Sequence, residues 1–107
     1  MKVVILESAK TDIRELRSYV VNNFGAAVWL TTYGAIKQAF GTVQQHPKTG
    51  KTLPELDTLN IATYRQVLVG MNRVIYELCA DAAHVHVVCD CRRDLQGLLM
   101  RRLVRPG

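Results

Sequence analysis

Residues 62–89, read as ATYRQVLV, GMN, RVIYELC, ADA and AHVHVVC, decide the fold. The runs Ala62–Val69, Arg73–Cys79 and Ala83–Cys89 are rich in β-branched and aromatic residues and read as strands. Gly70-Met71-Asn72 separates the first two as a tight hairpin turn, and Asp81 marks the next turn. Strands joined this closely pair antiparallel. Upstream the period changes. Trp29, Tyr33, Ile36, Phe40 and Val43 recur at alternating steps of four and three, a helical stripe that reads as core. Ile13, Leu16, Val20 and Phe24 form a similar stripe in the preceding segment, with Ser8 as N-cap, Asp12 as first-turn acid and Gly25 as C-cap. Pro47 closes the second helix. About one residue separates the two helices, so they fold back as a hairpin.

Two shorter segments complete the order. Residues 2–6 (KVVIL) read as a strand, and Arg92 to Leu103 as an amphipathic helix with Leu95, Leu98, Leu99 and Leu103 on one face and basic residues opposite. The expectation is an α+β fold, β-α-α-β-β-β-α, an antiparallel sheet with the helical hairpin packed on one face.

The totals bound the function. At 107 residues the chain reads as a single domain, 1–107. Hydrophobic residues make up 49%, enough for a core, which excludes a disordered chain. No apolar run approaches the roughly 20 residues of a membrane span, and MKVVILESAK meets charge too soon for a signal peptide. A cytoplasmic protein is expected. The net charge is +5, and Arg92, Arg93, Arg101, Arg102 and Arg105 crowd the last sixteen residues, where Asp94 is the one acid. Such a terminus suits nucleic acid or an acidic protein segment.

Individual residues give thinner signals. Cys79, Cys89 and Cys91 are odd in number, and Cys89-x-Cys91 lacks the two-residue spacer of zinc knuckles. They read as buried free thiols, with no metal and no cofactor. His84 and His86 share one strand face and Val85 and Val87 the other. With the valines toward the helices, both histidines lie on the open face. There an imidazole could act as acid or base, although exposed strand histidines are the plainer reading. Glu55-Leu56-Asp57 reads as a solvated turn. Gly34 and Gly41 read as points of close helix packing.

Several motifs, in order, resemble the RelE/ParE toxin superfamily. Asp12-Ile13 with Leu16 and Tyr19 is similar to the family's first helix. His46-Pro47-Lys48-Thr49-Gly50-Lys51 with Leu53 resembles its mid-chain loop. Tyr64-Arg65 with Arg73-Val74-Ile75-Tyr76 resembles its hairpin, and Val87-Val88 before Arg92-Arg93-Asp94-Leu95 its final strand and corner. The resemblance implies the toxin of a toxin–antitoxin pair, associated with growth inhibition and plasmid stabilisation. A cognate antitoxin and a hetero-oligomer with it are implied as well.

Within this superfamily RelE-like members cleave mRNA on the ribosome, whereas ParE-like members poison DNA gyrase. RNA cleavage needs a base, cations for the phosphorane and an acid for the leaving oxygen. Arg65, Arg73 and Arg92 or Arg93 match RelE-like basic positions and would carry the nuclease alternative. Against it, Asp94-Leu95 stand where those nucleases place a tyrosine or a His–Tyr pair, and Val67 replaces a basic residue. The preferred reading is therefore ParE-like, with gyrase as the target. Arg93, Leu95, Leu98, Leu99, Arg101 and Arg102 are the expected target- or antitoxin-binding residues.

Overall fold

Gly70 adopts a positive φ of 60° and, with Met71, turns the chain between β3 (Tyr64–Val69) and β4 (Asn72–Leu78). Glycine enters that region without the steric cost a side chain brings. The two strands pair antiparallel, Val69 opposite Asn72 and Tyr64 opposite Glu77. A second turn leads to β5 (Ala82–Asp90), antiparallel to β4. In the computed structural model, residues 1–57, 63–91 and 95–104 are described.

Two strands extend this meander. β1 (Lys2–Ile5) lies beside β5 and runs parallel to it, and β2 (Lys51–Thr52), a pairing the sequence did not announce, adds antiparallel to β3. The sheet order is β1-β5-β4-β3-β2. The antiparallel expectation holds for the four strands that come after the helices. The parallel edge arises because β1 precedes a long helical crossover rather than a tight turn.

Between β1 and β2 stand α1 (Glu7–Phe24) and α2 (Ala26–Gln45). Gly25, at φ 94°, is the whole link, and its N–H donates to the Val21 carbonyl. The α2 stripe is buried at Trp29, Ile36 and Val43, and half-buried at Tyr33 and Phe40. Trp29 stacks on Tyr33, with ring centroids 5.2 Å apart. α3 (Pro54–Asp57) and α4 (Leu95–Val104) lie later in the chain. Arg92, Arg93, Asp94 and Arg105 lie outside the described residues, as do the side chains of Glu55, Asp57, Leu95 and Leu103.

Strand alternation sends apolar side chains to two cores. Val74, Tyr76, Val85 and Val88 pack with Ala9, Ile36 and Val43 under the helical hairpin. Ile75, Val87 and Cys89 pack on the opposite face with Leu53, Leu56, Leu98 and Leu99. Helices thus pack against both faces of the sheet.

Five local expectations are corrected. The residue at the N-cap of α1 is Leu6, with no side-chain cap; Glu7 is the first-turn acid, and Ser8 turns toward β5. Asp12 lies a turn further along and is buried. Phe24 is 61% exposed, because at the last turn of α1 its ring contact is an edge-on one with Tyr19. Gly34 and Gly41 are not points of close packing, since a Cβ at either would meet nothing within 4 Å. Val85 and Val87 do not share a face. The register slips between Ile75 and Tyr76, where Val87 and Val85 are their partners, so His86 is the extra residue of a β-bulge. A bulge breaks the two-residue period and re-aims the side chains beyond it.

Candidate functional site

The bulge organises a polar row on the face away from the helical hairpin. Tyr64 is paired with Glu77 across β3 and β4, and Glu77 with His84 across β4 and β5. Directly opposed side chains share a face and touch. His86 Nε2 lies 3.0 Å from Glu77 Oε1, and its ring tilts against that of Tyr64 at 5.3 Å. Cys79, just past β4, brings Sγ to 3.6 Å from His84 Nδ1. Both histidines are therefore half-buried and partnered, rather than simply exposed. Burial first, then the charge and hydrogen bond of Glu77, pushes the Tyr64 phenol up to about 12. Tyr64 is accordingly a hydrogen-bond donor at neutral pH and a poor base. Burial, with Glu77 and Asp81 nearby, also raises the Cys79 thiol. None of the three cysteines is in a disulfide; Cys89 is buried, whereas Cys79 and Cys91 are partly exposed.

The two arginines of the hairpin do not converge. Arg65 is opposite Tyr76, on the face toward the helical hairpin. Its Nη1 donates to the Gly50 carbonyl at 2.8 Å and to the Lys48 carbonyl at 3.4 Å, and its buried Nε has no hydrogen-bond partner among the described residues. Tyr76 secures the same loop: its hydroxyl donates to the Pro47 carbonyl at 2.7 Å and accepts the Gly50 N–H at 3.0 Å. Only glycine fits at position 50, where a Cβ would stand 2.5 Å from Tyr76 Oη and 2.8 Å from the Gln66 carbonyl. Arg73 has the opposite parity to Val74, shares its face with Ile75, and donates from Nε to Gln66 Oε1 at 2.7 Å.

The free edge of β5 holds a third constellation. β1 pairs only as far as Val85, leaving the strand's later backbone groups to side chains. Ser8 Oγ donates to the His86 carbonyl at 3.1 Å, and the Val88 N–H donates to Asp12 Oδ2 at 3.0 Å. Arg102 reaches round from α4. Its guanidinium forms a bidentate pair with Asp12, at 2.7 and 2.6 Å, and also donates to the His86 carbonyl at 3.1 Å. The hydrogen bonds from Arg102 to Asp12 raise its pKa further. Sequence reasoning saw Asp12 and Arg102 separately and missed the pair. Ninety positions apart, they had only one cue, an acid on the otherwise apolar face of an amphipathic helix.

Of the expected partner-binding residues, Leu98 and Leu99 are buried against the chain's own sheet and Arg102 is held by Asp12. Arg101 is exposed. Arg93, and the side chain of Leu95, lie outside the described residues.

A sheet of this order under a helical hairpin is the fold of solved toxin–antitoxin proteins. The chain is similar to one from the chromosomal ParDE toxin–antitoxin system of P. aeruginosa, with a TM-score of 0.69 and 13% identity, covering 84% of this chain and 95% of that one. It is also similar to one from the RelBE2 toxin–antitoxin complex of Mycobacterium tuberculosis, with a TM-score of 0.55 and 21% identity, covering 83% and 95%. At these identities the likeness is one of fold. No curated protein sequence matches the chain. The family model for the ParE toxin of the type II toxin–antitoxin system parDE matches residues 3–90, and the chain belongs to that family.

Proposed function

We propose that this ParE-family toxin acts by binding DNA gyrase in the cytoplasm, and that a cognate antitoxin neutralises it as a hetero-oligomer. The observation that carries the reading is the separation of Arg65 and Arg73 onto opposite faces of one hairpin. Metal-free RNA cleavage needs cations converging on one phosphate, and Arg65 is tied to loop carbonyls instead. A protein target is favoured as well by the tip of the helical hairpin, where Tyr19, Phe24, Val28 and Leu30 are exposed. An exposed apolar patch around one turn marks an interaction surface, and aromatic side chains are its usual anchors. Arg101, which is exposed, is available to antitoxin carboxylates.

The test is tightly controlled expression, with SOS induction and mRNA cleavage scored separately. The proposal expects SOS induction without cleavage. Cleavage without SOS would overturn it in favour of a ribosome-dependent mRNA endonuclease.

A further inference from the structure

The polar row at the turn end of β4 and β5 has donor atoms that the toxin reading leaves without a use. Glu77 and Cys79 are two residues apart, so their side chains project to the same face, and His84 lies directly across the ladder from Glu77. The carboxylate, thiol and imidazole each bring a ligand atom, and all lie within 4.8 Å of one another. We propose that Glu77, Cys79 and His84 form a three-ligand site for a zinc-class divalent cation, with the fourth position open to water.

The distances favour this class of ion. A tetrahedral zinc with bonds of about 2.3 Å to sulfur and 2.0–2.1 Å to nitrogen sets those two atoms about 3.6 Å apart. Cys79 Sγ and His84 Nδ1 are 3.6 Å apart. The set fits no hard cation: magnesium and calcium take oxygen ligands, while a thiolate with an imidazole selects zinc and its borderline neighbours. Glu77 is also oriented from behind by His86 at 3.0 Å, as outer partners commonly orient a liganding group. Half-buried side chains leave the site a path to solvent, as an open fourth position requires. Local sequence spacing gives no sign of it, because the ligands come from two strands brought into register by the turn between them.

The experiment is titration of the untagged, full-length, reduced chain with Co2+, followed by competition with Zn2+. One equivalent should produce the visible bands of a tetrahedral ion and a near-ultraviolet thiolate charge-transfer band, both abolished by zinc. Cys79→Ser should remove the charge-transfer band. His84→Ala and Glu77→Gln should each weaken binding by at least about a hundredfold, and His86→Ala by about tenfold. Cys91→Ser should bind as wild type. Far-ultraviolet circular dichroism on each variant separates loss of ligand from loss of fold, and Glu77→Gln keeps the side-chain shape if Cys79→Ser fails to fold. A six-coordinate spectrum, a spectrum unchanged by Cys79→Ser in folded protein, or no saturable binding would each overturn the site. None of these outcomes bears on gyrase.

Discussion

The free edge of β5 and the open-face row place acids against basic groups a few ångströms apart, yet they are built oppositely. At the edge, Asp12 is buried, both its oxygens are used by Arg102, and Oδ2 also accepts the Val88 N–H. On the open face, Glu77 meets His86 while the Cys79 thiol and the His84 ring stand beside it half-exposed. The first group is saturated and closes a strand edge that would otherwise present bare backbone. The second keeps donor capacity, which is what a binding site needs.

If the edge is structural, breaking it should have the largest effect. Asp12→Ala removes the carboxylate from the Arg102 guanidinium, leaving it the His86 carbonyl, and takes the acceptor from the Val88 N–H in a largely buried setting. Removing one partner of such a pair costs about 3–5 kcal/mol. Urea unfolding should show the midpoint falling accordingly. A loss within about 0.5 kcal/mol, the range of a surface substitution, would show the edge to be dispensable.

Gly50→Ala probes the loop that Arg65 and Tyr76 hold. The new methyl cannot coexist with Tyr76 Oη and the Gln66 carbonyl, so the loop must shift and lose hydrogen bonds to both side chains. A loss of about 1–3 kcal/mol is expected from buried groups left unpaired. Gly34→Ala is the contrasting case, since its methyl meets open space in mid-helix. It should stabilise by about 1 kcal/mol, and a destabilised variant would mean that the exposed side of α2 is packed after all.

The open face is probed by pH, and its effect is absent below pH 10.0. Tyr64 is raised from 10.0 to about 12, so the fold favours its neutral phenol. Its contribution to stability is complete below pH 10.0 and is lost as pH rises toward about 12. Denaturant unfolding of wild type and Tyr64→Phe across that range should show the shallower decline in the variant. Parallel curves would show that neither burial nor Glu77 holds the Tyr64 phenol neutral.

Much of the fold was legible because it is written in local periods. Gly70 and Gly25 mark turns that only a positive φ closes so tightly, and Trp29 to Val43 keep a helical step through a whole helix. The failures are of another kind. The bulge at His86 changes which face Val87 occupies, and nothing in a run of alternating residues announces a register slip that its partner strand imposes. Ser8 has the chemistry of a cap, but the His86 carbonyl competes for it from the far end of the chain. Arg65 and Arg73 match catalytic positions by type, yet their opposite faces emerge only once Tyr64 is known to pair with Glu77. For the site, sequence supplied the histidines and the cysteine. It could not supply Glu77 between them, because that neighbourhood is a property of the sheet.

The measurement that bears most directly on the toxin's mode of action uses purified components: gyrase supercoiling of relaxed plasmid, titrated with this chain, beside programmed ribosomes given the same concentrations. Inhibition of supercoiling that rises with toxin and is reversed by antitoxin, with mRNA left intact, is the predicted result. Undiminished supercoiling together with cleaved mRNA would contradict the account.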